Sequence, residues 1–276
     1  MRIDAHQHFW NFDPVRDSWI DDSMKVIQRD FSPEDLLPEL RSKRIDGCIA
    51  VQADQSPQET QYLLGLSHQH PYIKKVVGWV DLSAPDIESQ LERYQAEKNL
   101  AGFRKILQAL PPSAMEEEAF LQGISLLSKY HFTYDILIFP KHLPAALEFV
   151  KKFPNQAFII DHLAKPAIKS GEFEHWSKGI KELSEIPNLY CKVSGMVTEA
   201  DWKKWKKEDF IPYLDHITDC FGTERLVYGS DWPVCLVAAS YAQVFDLAWE
   251  YFQPFSEDEK AAIFGDNACE FYGINA

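Results

Sequence analysis

The sequence predicts a single eight-stranded α/β barrel, and three observations carry that prediction. Short apolar runs alternate with amphipathic stretches along the whole chain, and the runs number eight. Some of them, such as Ala157-Phe158-Ile159-Ile160, are apolar without alternation, as suits parallel strands covered on both faces. The chain has 276 residues, 46% hydrophobic and 25% charged, which fits one barrel of about 250 residues around a large core. A doubly wound sheet is the alternative. The lack of a Gly-x-Gly-x-x-Gly after any strand weakens it.

The strands are read at residues 2–6, 47–52, 75–81, 101–106, 132–138, 157–162, 189–194 and 225–230. Residues 11–30 make a long first strand-to-helix loop, and loops at that end of a barrel cover its active face. Ser32-Pro33-Glu34-Asp35 supplies an N-cap, a first-turn proline and early acid for the first helix. Pro38 falls inside that helix and is expected to kink or shorten it. Ile87, Leu91 and Tyr94 repeat at helical spacing, as do Phe120, Ile124 and Leu127. Ser256-Glu257-Asp258-Glu259 reads as a capping box before the last helix. With no linker and no internal repeat, residues 1–276 read as one domain.

A net charge of −14 argues against a nucleic-acid partner, because phosphate backbones need a cationic surface. In that setting the run Lys203-Lys204-Trp205-Lys206-Lys207 reads as a solvated face. Five scattered cysteines without a C-x-x-C suggest neither a disulfide framework nor a zinc knuckle, and a reducing cytoplasm fits best. Met1 leads directly into a strand, with no signal peptide, and no apolar run approaches the roughly 20 residues of a membrane span. A homodimer is compatible with all of this, and oligomeric state stays open.

Chemistry collects at the C-terminal ends of the strands, where a barrel places its catalysis. The first strand ends in His6-Gln7-His8, and alternation would put Asp4, His6 and His8 on the face opposite Ile3 and Ala5. Two imidazoles at a strand end suit a divalent metal or a polarised oxygen better than an apolar core. The second strand ends at Gln52 and the fourth carries Arg104-Lys105. The sixth ends in Asp161-His162 with Lys165 beyond, the seventh in Lys192-Val193-Ser194-Gly195, and the eighth in Ser230-Asp231-Trp232-Pro233.

The ordered segments Met1–Trp10, Gly102-Phe103-Arg104, Asp161–Pro166, Cys191–Gly195 and Tyr228–Pro233 resemble the amidohydrolase superfamily. Closer still, they resemble its amidohydrolase-related branch of sugar lactonases, which includes L-fuconolactone and L-rhamnonolactone hydrolases. The resemblance implies His6, His8 and His162 as site histidines and Asp231 as the acid that activates water. It implies Arg104 and Lys165 as cationic contacts to the lactone or its product carboxylate, and Trp10 and Trp232 as pocket walls. Gln52 and Ser194 could donate hydrogen bonds to sugar hydroxyls. One divalent metal, zinc or manganese, is expected at His6, His8, Asp231 and His162, with metal-independent catalysis also open. No lysine or glutamate is placed to bridge two metals, since Lys105 and Arg104 point oppositely.

Three functions compete: a sugar-lactone hydrolase, a decarboxylase or other lyase on the same barrel, and a non-catalytic sugar-binding barrel. The indoles favour a sugar. Serine-hydrolase and nucleotide-phosphate chemistry lack their motifs. His142 reads as a helix-end residue or a pocket contact, and His68, His70, His131, His175 and His216 as surface residues.

Overall fold

A computed structural model describes residues 1–275. Eight parallel strands run in chain order: β1 Ile3–Gln7, β2 Gly47–Val51, β3 Ile73–Gly78, β4 Leu100–Lys105, β5 Thr133–Ile136, β6 Phe158–Ile160, β7 Leu189–Val193 and β8 Leu226–Tyr228. Just beyond β8 the sheet closes on β1. The Asp231 N–H donates to the His6 carbonyl at 2.8 Å and the His8 N–H to the Trp232 carbonyl at 2.7 Å. The fold is therefore a (β/α)8 barrel, as the pattern predicts.

Helices α1 Pro33–Ser42, α2 Pro57–Gln69, α3 Ile87–Tyr94, α4 Glu118–Leu127, α5 Leu143–Lys151, α6 Glu174–Ser184, α7 Ile211–Phe221 and α8 Tyr241–Tyr251 surround the sheet. Their apolar stripes meet the outward strand residues; Phe120 of α4, for example, packs on Tyr134 and Phe149. Asp35 caps α1, its carboxylate accepting from the Ser32 N–H at 2.8 Å. The expected break at Pro38 does not occur, and α1 continues through it. Pro38 and Glu34 are both exposed, so water can take the Glu34 carbonyl that loses its partner, while Leu36 and Leu40 hold the helix to the core.

The last predicted helix is broken. The Ser256 box starts α9, Glu257–Ala261, a π turn follows at Ala262–Asp266, and α10 resumes at Asn267–Tyr272. This offset brings Phe271 and Tyr272 against the inner layer of Ile3, Ala5, Ile49 and Val77. α10 thus plugs the barrel end opposite the catalytic loops.

Face alternation in β1 fails at one point. Ile3 and Ala5 face inward, but Asp4 faces outward, taking the Ser230 N–H at 2.8 Å and the Tyr241 hydroxyl at 3.1 Å. The β1–β2 register shifts between Asp4 and Gln7. That bulge turns His6 inward, to the same interior as Ala5. Asp4 therefore does not share the face of His6 and His8.

Candidate active site

Three imidazoles gather around one carboxylate oxygen at the C-terminal end of the barrel. The Nε2 atoms of His8, His162 and His6 lie 3.5, 3.8 and 3.9 Å from Asp231 Oδ1. Each ring is oriented from behind. His8 Nδ1 donates to the Val51 carbonyl at 2.7 Å, which turns its Nε2 toward Asp231. His162 Nδ1 meets the Ser194 hydroxyl at 2.9 Å. His6 Nδ1 lies 3.3 Å from Asp161 Oδ1, while Arg104 Nη1 donates to its Nε2 at 3.2 Å.

Backbone strain places two of these groups. Asp231 has φ 59°, and His162, Leu163, Ala164 and Lys165 form an unbroken left-handed run, φ 52–57°. Such conformations persist in non-glycine residues only where the surroundings enforce them, often at functional sites. This run ends β6 at Ile160, two residues before the predicted end. Gly195 admits the His162 ring: a Cβ there would lie 2.5 Å from its Nδ1. Gly229 does the same for His6, whose Cβ would lie 2.6 Å away.

Burial pushes the His6 and His162 rings well below the ordinary imidazole range, favouring neutral rings. Burial would raise Asp231, but His162, His8 and Lys165 outweigh it and hold the carboxyl below its usual range. Beneath the cluster, Arg104 Nη1 donates to Asp161 Oδ2 at 2.9 Å, and Lys192 Nζ lies 3.0 Å from Asp161 Oδ1 and 2.5 Å from Asp135 Oδ2. Burial opposes ionisation of Asp161, yet Lys192, His6 and Arg104 hold it well below the ordinary carboxylate range.

A cavity of about 330 Å³ opens onto the cluster. His8, His162, Asp231, Arg104 and Lys165 line it, as does the half-exposed indole of Trp19. The other predicted contacts stand behind the wall. Gln52 is fully buried, donates to the Arg104 carbonyl at 3.1 Å and receives Arg104 Nη2 on its own carbonyl. Ser194 supports His162. Trp10 and Trp232 do not reach the cavity: both pack edge-to-face on Phe31, and Trp10 bonds the Arg29 carbonyl at 2.9 Å. They are buried because the first loop folds over them, and Trp10 in turn braces Trp19 edge-on at 6.0 Å. His142 is buried against the Leu110 carbonyl at 2.9 Å and serves structure.

Sequence reasoning missed Trp19, Gln55 and Gln108 of the lining. The first has only its place in the long loop as a signal, and the others follow strands two and four without any motif. Two wall atoms, Arg104 Nε and Gln108 Oε1, are buried without a partner, one a donor and one an acceptor. Such atoms cost free energy unless a ligand or water satisfies them.

Gln55 sits on a loop held by Glu59, whose carboxylate accepts the Ala53 N–H at 2.9 Å. Burial pushes Glu59 up to about 7 from 4.5, with the Ala53 bond opposing and Asp54 adding. The folded state therefore binds the extra proton, so the contribution of Glu59 to stability is greatest below pH 4.5 and declines as pH rises to about 7. Glu59→Gln keeps an acceptor but cannot ionise. It is expected to gain stability over the wild type across that window, by up to about 3 kcal/mol. Urea unfolding at both ends of the window checks this, and an equal difference at both would count against it.

His6, His8 and Asp231 offer ligating atoms within 4.8 Å of one another, a set that fits one small divalent cation. Ligands about 2.0–2.1 Å from a tetrahedral ion stand about 3.4 Å apart, close to the 3.5 and 3.9 Å that separate Asp231 Oδ1 from the Nε2 atoms of His8 and His6. Binding at His6 would require its Nε2 to exchange Arg104 for the ion; Arg104 keeps Asp161 and the Gln52 carbonyl. Among the described residues, the other close group of ligating atoms shares His6 and adds His162 and Asp161, the latter already engaged by Arg104 and Lys192.

Residues 3–274 match the amidohydrolase family. The chain is 35% identical to an L-fucono-1,5-lactonase of Burkholderia ambifaria, over 100% of this chain and 96% of that protein. It is also 35% identical to an L-fucono-1,5-lactonase of Burkholderia multivorans, over 99% of this chain and 96% of that one. A crystal structure of an amidohydrolase from Burkholderia multivorans with bound zinc superposes with a TM-score of 0.96 at 35% identity, covering 100% of both chains.

Proposed function

Because the chain belongs to the amidohydrolase family, matched from residue 3 to residue 274, we propose that it is a hydrolase that opens a sugar lactone of the L-fucono- or L-rhamnonolactone type to its aldonic acid. The observation that carries this is the convergence of three imidazoles on Asp231 in the wall of a cavity of sugar size. The unpartnered donor at Arg104 and acceptor at Gln108 suit hydroxyls, which can serve both. No helix among the described residues is long and apolar enough to cross a membrane. A cytoplasmic setting is supported by five cysteines, none of them in a disulfide.

Hydrolysis adds water across one bond: its oxygen bonds to the carbonyl carbon, the ring C–O bond breaks, and the ring oxygen takes a proton. Asp231, ionised and acceptor-only, takes the proton of the attacking water. Arg104 lies on the same wall and supplies positive charge for the developing oxyanion. Protonated Asp231, or His162 beside it, returns a proton to the ring oxygen. His6, His8, His162 and Asp231 would hold a single divalent ion, with zinc supported by the zinc-bound relative. When bound, such an ion lowers the pKa of water and polarises a carbonyl.

The test is a pH-indicator assay against a panel of sugar lactones, with metal content measured before and after chelation. Acid release with deoxy-sugar lactones is expected, along with one divalent ion per chain whose removal lowers both rate and melting temperature. Carbon dioxide release, or saturable binding without product, would displace the lactonase reading. Trp19→Ala is expected to raise KM about tenfold with kcat little changed, because a flat apolar face for the sugar ring is lost. A loss in kcat alone would move Trp19 out of substrate binding.

A further inference from the structure

The cavity wall carries two cations, and each already has an acid. Arg104 is committed to Asp161 and the Gln52 carbonyl. Lys165 Nζ lies 3.7 Å from Glu199 Oε1 and 5.4 Å above the Phe139 ring. The Lys165 and Glu199 side chains are only 17% and 20% exposed, so solvent screens neither charge fully.

The pair is also built in. Lys165 ends the left-handed run that starts at His162. Glu199 closes the short 3-10 turn Val197–Glu199 after β7, and its carbonyl accepts the Lys169 N–H at 2.9 Å, tying that turn to the loop of Lys165. Among the described residues, the one ion pair of the Glu199 side chain is with Lys165, and it makes no hydrogen bond or ion pair with Asp231 or the histidines, so it takes no part in the proton transfers.

We infer that Glu199 is a specificity-determining residue: by neutralising Lys165 it restricts the cavity to lactones that carry no further acidic group. The inference rests on the lactonase reading above. An aldonolactone ring is neutral, whereas its product and any carboxyl-bearing lactone are anions. An uncompensated Lys165 would draw both anions to the wall. With Glu199 beside it, the site accepts the neutral ring and gives the product carboxylate no free ammonium to hold. Selectivity of this kind comes from what is withheld from the competitor.

The experiment compares a neutral aldonolactone with a hexaric acid monolactone, using wild type, Glu199→Gln and the double variant Glu199→Gln/Lys165→Gln. The ratio of kcat/KM, acidic over neutral, is expected to rise about tenfold in Glu199→Gln and to fall back in the double variant. Inhibition by the aldonate should strengthen in parallel. A folded Glu199→Gln with an unmoved ratio would overturn the inference while leaving the lactonase reading intact. Wild-type protein that opens no lactone would remove that reading and the inference together. The wild type gives a second measurement that needs no variant. Its aldonate inhibition should be nearly insensitive to ionic strength, and steep salt dependence would show Lys165 acting as a free cation.

Discussion

Asp231→Asn is expected to fold normally and to lose lactone turnover about a thousandfold, a rise in barrier of about 4 kcal/mol. Asparagine has the same shape and tolerates the left-handed backbone, here at φ 59°, better than most residues. Strain therefore does not confound the result. What the amide loses is basicity: it cannot take a proton from water, and its oxygen is a weaker ligand than a carboxylate. Metal content separates these two losses. Turnover lost with the ion retained assigns Asp231 as the base, whereas turnover lost with the ion makes it first a ligand. Activity within tenfold of the wild type would remove Asp231 from either role. The ring of imidazoles gives the prediction its size, because all three Nε2 atoms lie within 3.9 Å of Asp231 Oδ1.

The barrel was legible because its signals are local. Apolar runs and capping residues sit in the sequence next to the elements they define, and all eight strands overlap their expected spans, with ends that differ by up to about three residues. The histidines and Asp231 were legible because a barrel collects strand ends into one face, so polar residues there acquire a common neighbourhood. The side chains behind them were less readable. Nothing in Ile3-Asp4-Ala5-His6-Gln7 announces a bulge, yet the bulge separates Asp4 from His6 and turns the ring toward the centre. Trp10 and Trp232 adjoin site residues in sequence and looked like walls. The irregular loop between them and solvent buries both and presents Trp19 instead. Asp135 and Lys192 had a usable signal, a charge inside an otherwise apolar strand. Their meaning depends on each other, across 57 residues of chain. Glu199 had none, since its position follows from two loops that only tertiary packing aligns.

Lys192→Met carries the largest expected effect on stability. Lys192 is fully buried with its Nζ between Asp135 and Asp161, and 3.3 Å from His6 Nδ1. Methionine fills the same volume but leaves two carboxylates without their shared cation. Asp161 retains Arg104, while Asp135 retains only the Tyr272 hydroxyl at 2.9 Å. Stranding a buried charge costs about 3–5 kcal/mol, which urea unfolding would read directly. Adding Asp135→Asn removes the stranded charge, so the double variant should recover a large part of that loss. The pH dependence follows from the same carboxyl. Burial already pushes Asp135 up to about 6 while Lys192 pulls it down, and without Lys192 it rises further. The folded variant then holds a proton that the unfolded chain releases above about pH 4. Its deficit against the wild type should widen as pH rises from 5 to 8. A constant deficit across that range would mean that Asp135 is not the charge left behind. Failure of Asp135→Asn to restore stability would locate the cost in the contact between Lys192 and Asp161, the carboxylate that orients both His6 and Arg104.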